Sequence, residues 1–180
     1  MENVTIDGLT FKPFLKENEI LERTRLISIE IAKKFKDQNP VFLCVLNGSF
    51  FFTAELLKHF KFDYEIAFVR VKSYDGLSSS NEIKEFIGLD FEINDRPIVI
   101  LEDIVESGLT TNYLIRKMES ERPKSISIAT LLYKPNKMKY KNLPIDYVGF
   151  EITDEFVIGF GLDYNGQARG LREIYQKIED

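Results

Sequence analysis

Two adjacent carboxylates, Glu102 and Asp103, follow a run of apolar residues, Ile98 to Leu101. Open α/β sheets bind ligands beyond the carboxyl ends of their strands, so a strand that ends in two acids is a candidate binding site. Two small residues, Ser107 and Gly108, follow in a predicted turn, and Thr110 stands at the start of a predicted helix. Such a turn exposes backbone N–H groups at the positive end of a helix dipole, which favours a bound phosphate. The segment predicts a site that reads hydroxyls on one side and holds phosphate on the other.

Each part of this segment also has an ordinary structural explanation, because acids solvate strand ends and hydroxyls cap helices. The combination is much rarer, and it includes a third acid at Glu106. An apolar run, two acids, two apolar residues, an acid, Ser, Gly, any residue and Thr resembles the ribose-phosphate signature of the type I phosphoribosyltransferases. Glu106 stands where the oxopurine enzymes of that family carry Asp.

Further segments resemble the hypoxanthine-guanine branch of this family. Leu46-Asn47-Gly48-Ser49 is similar to its pyrophosphate-binding loop, whose first peptide bond is often cis. Ser73 and Tyr74 are similar to the start of its flexible loop, which suggests a lid over Ser73 to Glu82. Lys134 and the segment Glu155 to Asn165 match its purine-binding residues, and Arg169 matches an arginine that neutralises pyrophosphate.

The resemblance implies phosphoribosyl pyrophosphate as donor, hypoxanthine or guanine or both as acceptor, and Mg²⁺ as cofactor. Glu106, Lys134 and Arg169 are the implied catalytic residues, with Glu106 accepting the purine N7 proton and Lys134 bonding O6. The remaining implied contacts fall in four groups: ribose-phosphate (Glu102, Asp103, Glu106, Ser107, Gly108, Leu109, Thr110), pyrophosphate (Leu46, Asn47, Gly48, Ser49, Arg169), purine (Lys134, Phe156, Val157, Leu162, Asp163) and metal (Glu102, Asp103, Asp163).

Apolar and helical patterns predict the elements that position these residues. Helical spacing predicts a helix over Glu17 to Phe35 and another over Phe50 to Phe60. Thr110 to Glu119 is a third predicted helix, after a loop over Glu102 to Thr110. Apolar runs predict six strands (Val41 to Leu46, Tyr64 to Val71, Ile98 to Leu101, Ile126 to Leu132, Asp146 to Glu151, Phe156 to Phe160).

These runs suit a mainly parallel, twisted sheet flanked by helices, which is an α/β fold. The resemblance adds a small hood built from the N-terminal segment and roughly residues 150–180, within a single domain over 1–180.

Composition narrows the class of protein further. The chain has 180 residues, 44% of them hydrophobic and 29% charged, which is typical of one globular domain. A net charge of −5 argues against a surface that tracks nucleic acid. No run is long enough to span a membrane, and the acidic N-terminus does not resemble a secretory signal, so we expect a cytoplasmic protein. The single cysteine, Cys44, lies in an apolar run and is expected to be buried.

The sequence lacks the residues that several other classes of enzyme require. The sequence has no G-x-x-x-x-G-K-[ST], and its one histidine, His59, cannot by itself build a His-ligated zinc site or a Ser-His hydrolase. Two alternatives stay open: a non-catalytic nucleotide- or RNA-binding regulator, suggested by Glu106 and the basic run Lys134 to Lys141, and a xanthine-preferring enzyme. The family commonly forms oligomers, which implies a homodimer or homotetramer.

Overall fold

A computed structural model describes residues 2–73, 83–87 and 92–178. In chain order the elements are β1 (Val4–Ile6), β2 (Leu9–Leu15), α1 (Glu17–Phe35), β3 (Val41–Leu46), α2 (Phe50–Leu57), β4 (Glu65–Ser73), β5 (Ile83–Ile87), β6 (Pro97–Val105), α3 (Leu109–Glu119), β7 (Ser125–Tyr133), a 3₁₀ turn (Pro135–Lys137), β8 (Ile145–Glu151), β9 (Val157–Ile158) and β10 (Ile174–Lys177).

The larger of two sheets has six strands in the order β5-β4-β3-β6-β7-β8. Strands β4, β3, β6, β7 and β8 pair in parallel with their neighbours in this order, and β5 pairs with β4 in the antiparallel direction. The prediction of a mainly parallel sheet flanked by helices is therefore confirmed. Because β3 and β6 are parallel neighbours, their carboxyl ends lie at the same edge of the sheet.

Helices cover both faces of this sheet, as the apolar runs require. Ile20, Ile27 and Ile31 of α1 pack with α2 on one face, together with Phe42 of β3. Leu114 of α3 packs on the opposite face. Amphipathic spacing explains α1, which also places acids in its first turn and lysines in its last, where they complement the helix dipole. Among the described residues, no helix is both long and apolar enough to cross a membrane.

Three predicted boundaries are wrong. Strand β6 continues through the two acids to Val105, so the first four of the nine residues in the predicted loop, Glu102 to Val105, are strand. Helix α2 ends at Leu57, because the next hydrogen bonds join residues three apart instead of four. Phe60 N, for example, donates to Leu57 O at 3.1 Å. The last predicted strand shrinks to β9, since Gly159 and Phe160 have φ of 96° and 48°.

The smaller sheet is built from both ends of the chain. Its order is β1-β2-β10-β9, and all its pairings are antiparallel. In its register Phe11 of β2 lies opposite Lys177 of β10. Phe11, Ile158 and Tyr175 are buried together and form its core. The pattern analysis did not predict β1, β2 or β10, nor β5 in the large sheet.

A close approach between two glycines joins the smaller sheet to the larger one. Gly161 follows β9 and has φ of 101°, a conformation that favours glycine. A side chain on Gly161 would overlap the carbonyl oxygen of Gly48, in the loop after β3. Nearby, the Phe160 and Phe51 rings lie 5.6 Å apart. The smaller sheet is therefore seated over the carboxyl edge of the larger one.

This contact generates a prediction for Gly161→Ala, with Gly166→Ala as the matched control. Both glycines have positive φ, so alanine at either site costs about 1 to 2 kcal/mol of backbone strain. Only Gly161 also faces a backbone oxygen, whereas a side chain on Gly166 meets nothing within 4 Å. We expect Gly161→Ala to lower the free energy of unfolding by about 2 kcal/mol more than the control, from the added overlap. Urea denaturation measures this, and equal losses would contradict the docking role.

Candidate active site

A cleft of about 450 Å³ opens at the carboxyl edge of the large sheet. It is bounded by the loop after β3, the end of β6 with the following turn, and the segment after β9. The lining residues are Val45, Leu46, Asn47, Gly48, Val71, Glu102, Asp103, Ile104, Val105, Glu106, Ser107, Gly108, Leu109, Thr110, Thr111, Lys139, Tyr140, Asp163 and Arg169. The structure thus brings the predicted ribose-phosphate residues together with most of the predicted pyrophosphate residues.

Glu102 and Asp103 point to opposite sides of β6, because successive side chains of a strand alternate. Glu102 lies on the α3 side, where its exposure is only 4% and the Thr111 hydroxyl lies 3.5 Å away as a donor. Asp103 lies on the other side, and its carboxylate occupies the space beside Gly48. The two carboxylates therefore bound the floor of the cleft from both faces of the sheet.

Both carboxyl groups bind protons more tightly than usual. Burial raises the pKa of Glu102 well above its ordinary value, and the neighbouring charge of Asp103 adds to the effect. Burial also raises the pKa of Asp103 to about 6, although backbone N–H groups and the Arg169 guanidinium favour its charged form. Two partly desolvated acids are suited to hydroxyls or a cation, either of which would compensate for the lost water.

The turn after β6 has the geometry of an anion site. Gly108 precedes α3 with φ of 76°, and the Ser107 hydroxyl accepts a hydrogen bond from Leu109 N at 3.3 Å. The first N–H groups of a helix have no partner within it, and the dipole makes that end positive. Thr110 and Thr111 line the same part of the cleft. This turn can hold a phosphate group.

The loop after β3 presents its backbone to the cleft, while the side chain of its last residue, Ser49, is buried in the protein. Its Leu46–Asn47 peptide bond is cis. Leu46, Asn47 and Gly48 line the cleft, but the Ser49 side chain is buried and donates to Val45 O at 2.7 Å. Ser49 is thus the one predicted pyrophosphate residue that does not reach the cleft. Its hydroxyl also lies 3.1 Å from the sulfur of Cys44, which is buried as expected.

Asp163 and Arg169 form the wall that belongs to the smaller sheet. The Arg169 guanidinium contacts the Asp163 carboxylate at 2.6 Å and donates to Gly161 O at 2.7 Å. Asp163 also accepts from Gly166 N at 2.6 Å. Both side chains are partly exposed, so the arginine can still meet an anion in the cleft.

Lys134 and Glu106 pair directly, although sequence patterns assigned them separate roles. Lys134 Nζ donates to Glu106 Oε1, and the lysine side chain is 4% exposed while that of Glu106 is 43% exposed. The backbone N–H of Lys134 donates to Val105 O at 2.9 Å, which holds the end of β7 beside the end of β6. Glu106 lines the cleft and Lys134 lies behind it.

The predicted purine segment lies beside this cleft. Phe156 is 45% exposed, and its ring packs edge-on to Tyr164 with centroids 5.8 Å apart. Val157 and Leu162 are buried, and neither they nor Phe156 line the cleft. The exposed ring of Phe156 leaves a face on which a flat heterocycle could stack.

Comparison with known protein families identifies the family of this chain. A family model described as "Phosphoribosyl transferase domain" matches residues 14–165, which include every residue that lines the cleft except Arg169. The chain belongs to the phosphoribosyl transferase family.

Relatives of this family member cover nearly the whole chain. Hypoxanthine-guanine phosphoribosyltransferase of Bacillus subtilis is 39% identical over 91% of this chain and 91% of its own. A hypoxanthine-guanine-xanthine phosphoribosyltransferase of Tritrichomonas foetus is 34% identical over 88% and 86%. The crystal structure of a hypoxanthine-guanine phosphoribosyltransferase of Bacillus anthracis superposes with a TM-score of 0.86 at 32% identity, covering 93% and 97%.

The carboxylates of this phosphoribosyl transferase fit a cation that is bound by both protein and substrate better than a cation that is bound by protein alone. Within the described ranges, no three His, Cys, Asp or Glu side chains cluster as a metal site. Glu102 and Asp103 flank β6, whereas Asp163 is engaged with Arg169. Mg²⁺ usually takes one or two carboxylates and completes its shell with water and substrate oxygens. Glu102 and Asp103 both line the cleft, so each can offer a carboxylate to such an ion.

Two predicted residues belong to the lid, and seven residues that line the cleft were not predicted from the sequence. Ser73 is the last residue of β4, while Tyr74 and the segment 74–82 lie outside the described residues. The lining residues that were not among the predicted site residues are Val45, Val71, Ile104, Val105, Thr111, Lys139 and Tyr140. Thr111 was detectable as the neighbour of Thr110, and Lys139 lies in the basic run that was noted only as a charged face.

The raised pKa of Asp103 predicts how stability varies with pH. Its folded pKa of about 6 lies above its ordinary 3.8, so its contribution to stability is full below the lower value and is lost as pH rises through the higher one. The shift corresponds to at most about 3 kcal/mol, and we expect about 1 to 2 kcal/mol because the cleft is open to water. Asp103→Asn should therefore gain stability over wild type as pH rises from about 4 to about 7.

Urea denaturation without divalent cations measures this difference at each pH. Asp37→Asn, at an exposed aspartate in the turn after α1, is the control. A pH-independent difference between Asp103→Asn and wild type would contradict the raised pKa.

Proposed function

We propose that this chain transfers the phosphoribosyl group of phosphoribosyl pyrophosphate to a 6-oxopurine, hypoxanthine or guanine, and releases pyrophosphate. The observation that carries this proposal is the convergence of three distant segments on one cleft: the Leu46 to Gly48 loop, the Glu102 to Thr110 segment, and the Asp163–Arg169 pair. The names of the relatives, all phosphoribosyltransferases for these purines, support it.

The donor would lie along the floor of the cleft. Its 5′-phosphate would bind the N–H groups of the turn Ser107 to Thr110, and its ribose hydroxyls would face Asp103. Its pyrophosphate would meet the backbone of the loop after β3 and the Arg169 guanidinium. As the bond from C1 to pyrophosphate breaks, negative charge grows on the leaving group, and preorganised N–H groups and a cation stabilise that charge.

Mg²⁺ is the proposed cofactor, held by Glu102 and Asp103 with oxygens of the donor. Asp163 would act through Arg169 and is the weakest member of the predicted metal set, because its carboxylate already has partners. When bound, the ion would supply positive charge to the pyrophosphate oxygens. The high proton affinity of the two carboxyls predicts that the cation competes with protons near neutral pH.

The purine would lie between Phe156 and the Lys134–Glu106 pair, under a hood formed by the smaller sheet. Lys134 would donate to O6, and Glu106 would accept the N7 proton as the new bond to C1 forms. Because these two side chains form an ion pair, a purine that binds both of them must displace their contact with each other. O6 and the N7–H together replace it, one as acceptor for the lysine and the other as donor to the carboxylate.

The same ion pair weighs against the alternative functions. A nucleic-acid surface needs free cations, but Lys134 is buried against Glu106, and Lys137 is paired with Asp154. An adenine-specific enzyme is disfavoured because adenine has a donor where the oxopurines have an acceptor for Lys134. Xanthine shares the 6-oxo group and stays a candidate acceptor, as the name of the Tritrichomonas foetus relative suggests.

We propose that the protein acts in the cytoplasm as a homodimer or homotetramer. Ile66 and Phe68 of β4 are 40% and 45% exposed on the face of the sheet that α1 and α2 cover elsewhere. Their register partners on β3, Phe42 and Cys44, are buried. A second copy of the chain would remove this apolar face from water.

A substrate panel tests the proposed reaction. Hypoxanthine, guanine, xanthine and adenine are each mixed with phosphoribosyl pyrophosphate and Mg²⁺, and nucleotide formation is followed by absorbance. We expect turnover of hypoxanthine or guanine and none of adenine, because Lys134 needs an acceptor at C6. Turnover of no purine would refute the proposed function and favour a binding protein.

Variants of Glu106 test the proposed proton acceptor. Glu106→Gln should lower turnover about a hundredfold, because an amide cannot take the N7 proton. Glu106→Asp should retain or raise activity, since it keeps the carboxylate and restores the family's side chain. Rates are compared where chemistry limits turnover, and equal rates for wild type and Glu106→Gln would assign the proton to another group.

A further inference from the structure

The segment after β7 packs directly over the turn that precedes α3. The backbone N–H of Lys139 donates to Ser107 O at 3.1 Å. A side chain added to Gly108 would come within 2.7 Å of Leu143 and 3.1 Å of Met138. Residues 138–143 therefore form a second wall beside the phosphate turn.

Lys139 and Tyr140 of this wall line the cleft. Lys139 is exposed, and no carboxylate lies within salt-bridge distance of it in the part of the chain that the structure describes. The neighbouring cations differ, since Lys134, Lys137 and Arg169 are paired with Glu106, Asp154 and Asp163. The ammonium of Lys139 is thus a positive charge at the cleft that is not already neutralised.

The charges around the cleft give this lysine a role. The lining side chains include four acids (Glu102, Asp103, Glu106, Asp163) and two cations (Lys139, Arg169). A phosphate monoester carries a charge of about −1.5 to −2 at neutral pH, whereas a helix end supplies only about +0.5. The turn alone therefore leaves most of the phosphate charge uncompensated in an acidic cleft. A cation anchored to the turn through Ser107 can supply the difference.

We propose that Lys139 is a substrate-binding residue whose ammonium contacts the 5′-phosphate of the donor and of the nucleotide product. This inference rests on the proposed function and adds to it, because the turn was expected to hold the phosphate through its own backbone and hydroxyl groups. Lys139 favours ligands that carry the 5′-phosphate over the corresponding nucleosides. Tyr140 completes the wall beside it.

Lys139→Met tests the proposal, because methionine preserves the length of the side chain and removes its charge. Lys139→Arg keeps the charge, and Lys141→Met is the matched control at an exposed lysine two positions away that does not line the cleft. Calorimetry measures binding of inosine 5′-monophosphate and of inosine to each variant. Steady-state rates give KM for phosphoribosyl pyrophosphate and for hypoxanthine.

We expect Lys139→Met to weaken inosine 5′-monophosphate and to raise the donor KM by roughly tenfold, the loss of one charge-assisted hydrogen bond. Inosine binding and the hypoxanthine KM should stay within about twofold, because neither involves the phosphate. Lys141→Met should match wild type, and Lys139→Arg should bind inosine 5′-monophosphate more tightly than Lys139→Met because it keeps the positive charge. Added salt should shrink the loss, since screening weakens an exposed contact.

Two results would overturn the proposal. Unchanged binding of the monophosphate by Lys139→Met would remove Lys139 from the site, and equal weakening of nucleotide and nucleoside would mean that the variant distorts the cleft. Both are interpretable only alongside wild-type turnover of hypoxanthine, which is measured first. Absence of that turnover is the failure of the proposed function, so the two failures are distinct.

Discussion

Gly48 lies where three parts of the chain meet, and the space around its α-carbon constrains all of them. The Asp103 carboxylate occupies one side, and Gly161 of the smaller sheet reaches its carbonyl oxygen on another. Parallel pairing of β3 and β6 brings Asp103 beside Gly48, and the packing of the smaller sheet brings Gly161 against the Gly48 carbonyl oxygen. A side chain at this point would separate the acids, the loop backbone and the Asp163–Arg169 wall. The three parts can meet here because Gly48 has no side chain.

Charge in the site is held mainly in pairs. Lys134 is almost fully buried against Glu106, and Arg169 is held by Asp163 and Gly161 O. A buried ammonium without a partner would be costly, so the carboxylate stabilises Lys134 in place before any ligand arrives. The same pairing keeps the two groups within reach of one small heterocycle. In the proposed reaction, a bound purine would replace the Lys134–Glu106 contact with its own contacts to the same two groups.

Local patterns predicted the elements that are long or sharply bounded. The helix Glu17–Phe35 and the strand Val41–Leu46 match to the residue, because a clear periodicity marks the first, and turn residues Asn39-Pro40 and Asn47-Gly48 flank the second. The end of β6 was placed too early, since two adjacent acids resemble a solvated strand end. Only tertiary burial makes Glu102 part of the strand.

The sequence did not predict the features of the site that depend on contacts between residues far apart in the chain. The motif residues of β6 and the following turn do line the cleft, but the inward side chain of Ser49 and the Lys134–Glu106 pair required coordinates. Strands β2 and β10 are short and find each other across the length of the chain, with Phe11 opposite Lys177. That pairing has a consequence during synthesis on the ribosome. Strand β2 can pair with β1 as soon as both are synthesised, but its other neighbour, β10, comes much later in the chain, so a nascent chain can form the large sheet before the smaller sheet is complete.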